Sequence, residues 1–356
     1  MKIPPYYQTK ITIISFILVI MMLYVHGIYN EAELFRMSFI VKSIISRLSY
    51  RVINPTYFSI SGFLFFNGLN ALVDCFPKMK KRARTVLIPF ILWNVIVVLE
   101  YLLLSHIPFT KEYFHFNIFS NYNNLGVGLY NLFLRPAGFH LWFLRDLIVY
   151  IIISPLIYWL VTKIDWFLTI ILLTLTPPLM QIFNLEHLDI AFFTLGGTIA
   201  MKSDLKSVKV FLSKPIVVVS TALYLGLSLT WDFFLPKHFS GEEYLSILFS
   251  VCGMITIWRG YDWLSQIFNL ENNYFLQSLT NYSFFIYLFH EPILFVIMQM
   301  GTSFLGLNSW SLSILYIINP IILIILAIVV AILIKNTIPS FYYVLTGGRI
   351  AKFQSR

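Results

Sequence analysis

Charged residues are scarce in this chain. Only 12% of its 356 residues are Asp, Glu, Lys or Arg, against roughly 25% in soluble globular domains, which excludes an ordinary soluble enzyme. Cysteine is nearly absent too: Cys75 and Cys252 lie far apart, so neither a disulfide framework nor a cysteine metal site is indicated. Glycine-rich phosphate loops, metal-ligand clusters, serine nucleophile elbows and nucleic-acid motifs are also missing from the sequence.

Long apolar runs dominate what is present, because 58% of the residues are apolar. A membrane-crossing helix takes about 20 residues, so ten such helices need about 200. The sequence therefore predicts an all-α integral membrane protein, a bundle of about ten transmembrane helices, as one domain over residues 1–356 with no soluble domain. No cleavage site follows the first run, which we expect to be retained. The predicted spans are Ile11–Tyr29, Pro55–Phe76, Val86–Leu104, His140–Val161, Trp166–Phe183, Leu188–Met201, Ile216–Leu235, Tyr244–Trp258, Leu279–Met300 and Leu312–Ile334.

The distribution of basic residues predicts the orientation of these spans. Most of the 25 Lys and Arg residues lie on alternate connections and at both ends. The positive-inside rule therefore places both termini in the cytoplasm and accounts for the net charge of +9 without nucleic acid. Between spans, Glu31–Asn54 has the spacing of an interfacial amphipathic helix, and Ser105–Gly138 is the longest polar connection, expected outside.

Polar groups at membrane depth are functional candidates by default. His26 lies in the outer part of the first predicted span, where an imidazole would be suited to move protons near neutral pH. The alternative is a histidine that only hydrogen-bonds within the bundle. Trp142, Arg145 and Asp146 share one face of the fourth predicted span. They form either an ion pair that locks the bundle or a site for an anionic group. His140, at the outer end of that span, is expected to be interfacial.

The ninth predicted span carries Tyr287, His290 and Glu291, followed by Pro292, which frees a backbone carbonyl. These groups are either catalytic or part of a local network that shapes the bundle. At the cytoplasmic mouth of the third span, Lys78–Pro89 contains five basic residues. They either determine topology and bind anionic lipid or contact the phosphates of a cytoplasmic cofactor. In the sixth span, Gly196 and Gly197 favour close helix packing.

Five motifs, in this order, resemble acyltransferase family 3, a family of integral membrane proteins. They are YVH ending at His26, SGFLF at Ser61–Phe65, KKRARTVLIPFILWN at Lys80–Asn94, LWFLRDL at Leu141–Leu147 and YSFFIYLFHEPI at Tyr282–Ile293. The resemblance spans most of the chain.

The resemblance implies a membrane O-acyltransferase that moves an acyl group, commonly acetyl, from acyl-CoA to a hydroxyl of a surface polysaccharide or lipid-linked sugar. It implies a bacterial cytoplasmic membrane, and the residues themselves indicate no metal and no nucleic-acid partner. His26 is then the catalytic group, either as general base or as acyl carrier. Candidate residues for CoA are Lys81, Arg82 and Arg84. Candidate residues for the acceptor are Trp142, Arg145, Asp146, Tyr287, His290 and Glu291.

Two features point in other directions. The family commonly carries an Arg eleven residues before the histidine, where this chain has Ser15, and an acidic residue where it has Thr12. Lys10 is the nearest upstream cation, and we do not expect it to substitute. A transporter or flippase of a lipid-linked sugar is the main alternative, because Pro155, Pro177, Pro178, Pro292 and Pro320 interrupt spans five apart. The third possible function is that of a membrane scaffold or sensor that catalyses no reaction.

Overall fold

In a computed structural model, the chain is described over residues 3–27, 36–111, 135–183, 189–203, 212–234 and 241–349. Every regular element within these ranges is helical, which confirms the predicted all-α class. Most of the predicted connection Ser105–Gly138 lies outside them. The α-helices are α1 Pro5–His26, α2 Arg36–Phe66, α3 Cys75–Arg82, α4 Ile88–His106, α5 Trp142–Ile152, α6 Ser154–Ile164, α7 Trp166–Phe183, α8 Ile190–Lys202, α9 Lys214–Phe234, α10 Glu242–Phe268, α11 Tyr274–Thr280, α12 Ser283–Leu305, α13 Ser309–Thr337 and α14 Pro339–Leu345.

Four helical stretches of the described chain are long and apolar enough to cross a membrane. A fifth results if α5, with the short turn before it, and α6 count as one span, although they meet at an angle of 60°. The apolar parts of α7, α8 and α9 are shorter. The count of ten spans and the cytoplasmic termini remain predictions. The four stretches are Pro5–His26, Leu72–His106, Ser283–Leu305 and Ser309–Thr337.

The helices form two compact units, and each is built from three separate parts of the chain. In the first unit α9 packs on α10, and α7 packs on α8. In the second unit α12 packs on α13 and α4, and α14 packs on α13 and α4. The first unit contains Met1–Val25, Ile40–Lys78 and Ile152–Thr280, and the second contains His26–Phe39, Met79–Ile151 and Asn281–Arg356.

Helix α2 differs from the prediction at both ends. The expected break between an amphipathic segment ending at Asn54 and a span starting at Pro55 is wrong, because α2 continues through Pro55. Pro55 has no N–H for the Arg51 carbonyl, but the Ser250 hydroxyl donates to that carbonyl at 2.6 Å, so the helix loses no partner there. The expected extension to Phe76 is also wrong, since α2 ends at Phe66 and Gly68 follows with φ +75°.

The prolines divide into two groups. Pro177 and Pro178 lie inside α7, and Pro320 lies inside α13, so the predicted interruptions at these positions are wrong. At Pro155 the chain does break between α5 and α6. At Pro292 the backbone of Glu291 leaves the helical region, with φ −113° and ψ 133°. The pattern of broken helices that favoured a transporter is therefore reduced to two positions.

Within the first unit, α2 and α8 cross at very close range through glycines, as predicted for Gly196. A Cβ at Gly196 would lie 1.9 Å from the Ser59 carbonyl oxygen, and one at Gly62 would lie 2.0 Å from the Phe193 carbonyl oxygen. The Ser59 hydroxyl also donates to the Phe192 carbonyl at 3.1 Å. Small residues thus allow two backbones to touch, which is how helices gain contact area in membranes.

Replacement of Gly196 by valine should unfold the first unit, because the new side chain meets backbone that has no freedom to move aside. We expect a large drop in thermal unfolding temperature in detergent and poor recovery of folded protein. Gly226→Ala in α9 is the control, since nothing lies within 4 Å of a Cβ there. Equal stability of both variants would contradict the close crossing.

Lys10 anchors α1 within the first unit. Its side chain is only 1% exposed, its Nζ lies 2.5 Å from Asp262 Oδ1, and it stacks 4.1 Å from the centroid of the Trp258 ring. Tyr6 donates to the same carboxylate, and Arg259 Nη1 lies 2.6 Å from Asp262 Oδ2. Burial raises the pKa of Asp262, but the hydrogen bonds from Lys10 and Tyr6 and the nearby positive charges outweigh burial and hold it below its usual value. The cation upstream of Ser15 is therefore part of a structural ion pair.

Candidate active site

The kink at Pro292 exposes backbone carbonyls to two histidines of the second unit. Pro292 has no N–H for the carbonyl of Leu288, four residues earlier, and His140 Nε2 lies 3.2 Å from that oxygen. One residue earlier, the Tyr287 carbonyl lies 2.6 Å from His290 Nδ1. The predicted free carbonyl is thus confirmed, and it orients an imidazole. The kink sets which nitrogen of each ring carries hydrogen.

His26 and His290 form a direct hydrogen bond, with His26 Nδ1 2.8 Å from His290 Nε2. A carbonyl oxygen only accepts, so His290 Nδ1 must carry hydrogen to bond the Tyr287 carbonyl. In the neutral ring His290 Nε2 then has the lone pair and accepts from His26 Nδ1. By the same reasoning, His26 Nε2 has no hydrogen. The arrangement leaves a basic nitrogen of His26 available to a substrate.

The three histidines differ in burial. His290 is fully buried and His140 is 1% exposed, whereas His26, the last residue of α1, is only partly buried. Phe139 packs edge-on against the His26 ring at 5.0 Å. The Tyr287 hydroxyl donates to the His140 carbonyl at 2.7 Å, which ties the turn before α5 to α12. The rings of His140 and His290 are thus buried and hydrogen-bonded to backbone carbonyls, whereas the His26 ring is partly exposed.

The structure brings His26 together with the candidates of the ninth predicted span, Tyr287, His290 and Glu291. It also adds His140, for which the sequence indicated no more than an interfacial position: its ring centroid lies 4.6 Å from that of His290. Its Nδ1 is buried and has no hydrogen-bond partner among the described residues. Glu100 was missed as well, although an acidic residue inside the third predicted span was a signal. Its Oε2 is buried without a partner in the described chain.

Three groups of this site are also placed to hold a metal ion. One ligand atom each from His26, His290 and Glu291 lie within 4.8 Å of one another. Two imidazoles and a carboxylate are a common set for Zn²⁺. A metal would have to displace the hydrogen bond that the two imidazoles share. The expectation of a reaction without metal stays a prediction.

Added Zn²⁺ should therefore inhibit the protein reversibly, because it would occupy the lone pairs of His26 and His290. We expect the acyl transfer that the family resemblance implies to be lost in micromolar Zn²⁺ and to recover after a chelator is added. Glu291→Gln should weaken the inhibition by removing one ligand. Stimulation by Zn²⁺, or loss of the basal activity on chelation alone, would show instead that the site works with a metal.

The candidates on α5 include an ion pair between neighbouring residues. Arg145 Nε lies 2.7 Å from Asp146 Oδ1, with the two side chains 27% and 15% exposed. Trp142, Arg145 and Asp146 occupy the partly exposed face of α5, as the spacing predicts, while Leu144 and Leu147 face the interior. The ion pair is present, and a role in acceptor binding stays a prediction.

The candidate residues for CoA, at the start of α4, differ in exposure. Lys81 and Arg84 are exposed, whereas Arg82 is partly buried where α3 passes into the wide helical turn Ala83–Leu87. Arg349, which the sequence did not single out, reaches the same turn: its Nη1 lies 3.2 Å from the Thr85 carbonyl oxygen. Binding of CoA by these bases stays a prediction.

The first unit contains an apolar cavity of about 620 Å³. Its walls include Phe63, Trp166 and Trp258, and the polar groups among its lining are uncharged hydroxyls. Among the described residues that line it, none has a titratable side chain that could transfer a proton. The histidine cluster of the second unit remains the candidate site for chemistry.

Comparison with known proteins assigns most of the chain to one family. The acyltransferase domain that defines the acyltransferase 3 family matches residues 10–335, and so includes His26 and the whole histidine cluster. The chain is also 25% identical over 305 residues to the succinoglycan biosynthesis protein ExoH of Rhizobium meliloti (strain 1021), covering 84% of this chain and 80% of that protein. No solved structure matches. The match over most of its length shows that the chain belongs to the acyltransferase 3 family of membrane proteins.

Proposed function

We propose that this protein is an O-acyltransferase of a bacterial cytoplasmic membrane, which moves an acyl group, acetyl in the simplest case, from acyl-CoA to a hydroxyl of a surface polysaccharide or its lipid-linked precursor. The observation that carries the proposal is the hydrogen-bond chain from the Tyr287 carbonyl through His290 to His26. It leaves His26 Nε2 unprotonated, and the imidazole is partly exposed. A general base needs both properties.

In the proposed reaction His26 Nε2 takes the proton of the acceptor hydroxyl as that oxygen bonds to the thioester carbonyl carbon. The C–S bond then breaks, and the sulfur leaves with the proton that His26 returns. While His26 is an imidazolium, its Nδ1–H still donates to His290 Nε2, which stabilises the charge. His290 is held in the required tautomer by the Tyr287 carbonyl, so it is a positioning residue.

The class of acceptor rests on similarity. The curated relative is named for succinoglycan biosynthesis, and succinoglycan is a polysaccharide. A membrane-embedded chain with His26 near one end of an apolar helix suits an acceptor that is presented at the membrane surface. Family membership favours transfer chemistry over the transporter alternative. Acyl-CoA as the donor can be tested directly with purified protein.

Purified protein in lipid nanodiscs should transfer radiolabel from acetyl-CoA to a polysaccharide or a lipid-linked oligosaccharide. The product should be an ester that hydroxylamine cleaves. Incubation with donor alone separates the two roles of His26: a base leaves the protein unlabelled, whereas an acyl carrier leaves an acetyl group on His26 that mass spectrometry detects. Folded protein that neither binds acetyl-CoA nor labels any glycan would contradict the proposal.

A further inference from the structure

The short turn before α5 is fastened to both α4 and α12. At its start, the Ala137 N–H donates to Asn94 Oδ1 of α4 at 2.9 Å. At its end, the Tyr287 hydroxyl of α12 donates to the His140 carbonyl at 2.7 Å. Asn94 and His140 are both buried. The chain between these two hydrogen bonds is therefore held in one position, next to the histidines of the candidate site.

Two side chains of this turn pack against the two hydrogen-bonded imidazoles. The Phe139 ring lies edge-on to the His26 ring, with centroids 5.0 Å apart. The His140 ring lies edge-on to the His290 ring, with centroids 4.6 Å apart. Gly138 leaves the space for this packing, since a Cβ there would lie 2.6 Å from His140 Cε1. Its φ of −87° and ψ of 118° are ordinary extended values, so the need for glycine there is steric.

His140 also supplies a donor to a carbonyl that the kink in α12 has freed. Pro292 has no N–H for the Leu288 carbonyl, and His140 Nε2 donates to that oxygen at 3.2 Å. Loss of this donor would leave a buried carbonyl unpaired, which is unfavourable. The neighbouring ring of His290 has an N–H, which now bonds the Tyr287 carbonyl. His140 therefore removes an acceptor that would compete for the His290 N–H.

We propose that His140 is a positioning residue of the active site, which acts on His26 through His290. By binding the Leu288 carbonyl and packing on His290, it keeps the His290 N–H on the Tyr287 carbonyl. Without it, His290 turns toward the Leu288 oxygen, and His26 Nδ1 loses its acceptor. The hydrogen of His26 then moves between its two nitrogens, so fewer molecules have an unprotonated Nε2. The effect on catalysis rests on the proposed function, whereas the effect on the protonated nitrogens does not.

Two amide variants of His140 differ in reach and share the same chemistry. The amide nitrogen of His140→Gln lies near the position of the imidazole Nε2 and can donate to the Leu288 carbonyl, whereas that of His140→Asn is too short. His140→Asn should lower kcat about tenfold, the size expected for one lost hydrogen bond, with unchanged KM for donor and acceptor. His140→Gln should lose less than about threefold. Equal losses in the two variants, or a loss that appears in KM, would overturn the proposal.

The loss in His140→Asn should depend on His26. In a His26→Ala background the same substitution should change the residual rate less than about twofold, because the nitrogen that His140 positions is gone. A full tenfold loss there would show that His140 acts on another group. Gly138→Ala should match His140→Asn, since its Cβ displaces the His140 ring and removes no hydrogen-bonding group. Gly226→Ala is the matched control, with nothing within 4 Å of its Cβ.

A measurement without substrates separates this proposal from the proposed function. Solid-state NMR of the protein in lipid bilayers, with isotope-labelled histidine, reports which ring nitrogen carries hydrogen, and the spectrum of His26→Ala assigns the signals. We expect His26 to carry hydrogen on Nδ1 in the wild type and on either nitrogen in His140→Asn. If this holds while no acyl transfer is found, the proposed function fails and the positioning role stands. An unchanged His26 signal in His140→Asn would overturn the positioning role, whatever the activity.

Discussion

Replacement of His26 by alanine should reduce acyl transfer by about 10³-fold, at unchanged membrane level and unfolding temperature. General acid–base catalysis contributes roughly 10² to 10⁴ in rate, and in the proposed mechanism His26 Nε2 is the atom that moves the proton. The remaining activity would come from binding both substrates together. Initial rates at saturating donor, with the same acceptor, measure the effect on kcat.

Variants of His290 test whether the hydrogen bond from His26 Nδ1 supports the role of His26 as the base. His290→Ala leaves the Nδ1–H of His26 without its acceptor and should cost about 10²-fold by analogy with other orienting groups. His290→Gln should cost less, because an amide oxygen can still accept from His26 Nδ1. His106→Ala is the control, since His106 is exposed and hydrogen-bonds only within the end of α4, to Leu102 and Ser105. Activity within tenfold of the wild type in His26→Ala would show that another group is the base.

Replacement of Lys10 by methionine should destabilise the protein by about 3 kcal/mol, because it leaves the Asp262 carboxylate in place without its most buried partner. Unfolding in a mild detergent with increasing denaturant measures the change. The double variant Lys10→Met/Asp262→Asn should recover part of the loss, since the carboxylate charge is removed and Arg259, which loses its partner, is 21% exposed. Lys202→Met is the control: its pair with Asp165 is 3.9 Å long and exposed, so it should cost less than about 1 kcal/mol.

The stability that the Lys10–Asp262 ion pair contributes should also depend on pH in a defined direction. The pKa of Asp262 is below its ordinary value of 3.8 in the folded protein, so its ion pair stabilises the fold above that value. As the pH falls below 3.8 and then through the lower folded pKa, the contribution is lost. The difference between wild type and Asp262→Asn should therefore shrink on acidification. A difference that grew would contradict the ion pair.

The local sequence pattern was sufficient for several features of the site. His26, Tyr287 and His290 stood out because polar groups in apolar helices are expensive, and the structure joins them. Pro292 was correctly expected to free a carbonyl, because proline lacks an N–H wherever it stands. Gly196 indicated that two helices pack closely there, and in the structure α2 and α8 cross at this residue. Each of these conclusions depends on one residue type and its neighbours along the chain.

Other features depend on which helices meet, and no periodicity within one helix specifies that. Pro55 does not break α2, because Ser250, about 200 positions later, supplies the missing donor. His140 is a member of the cluster because the kink in α12 offers it the Leu288 carbonyl. Arg349 reaches Thr85 only because Gly347 permits the contact.

The sequence by itself determined the class of the protein, helical and apolar, and its resemblance to a family made His26 the candidate catalytic residue. Composition suffices for the class, because long apolar runs with few charges form helices in a membrane. Only the tertiary structure decided which histidine nitrogens carry hydrogen, which residue pairs with Lys10, and that Arg349 contacts the turn that follows Arg82. Hydrogen bonds and ion pairs form between atoms a few ångströms apart, and helix packing brings such atoms together from distant parts of the chain.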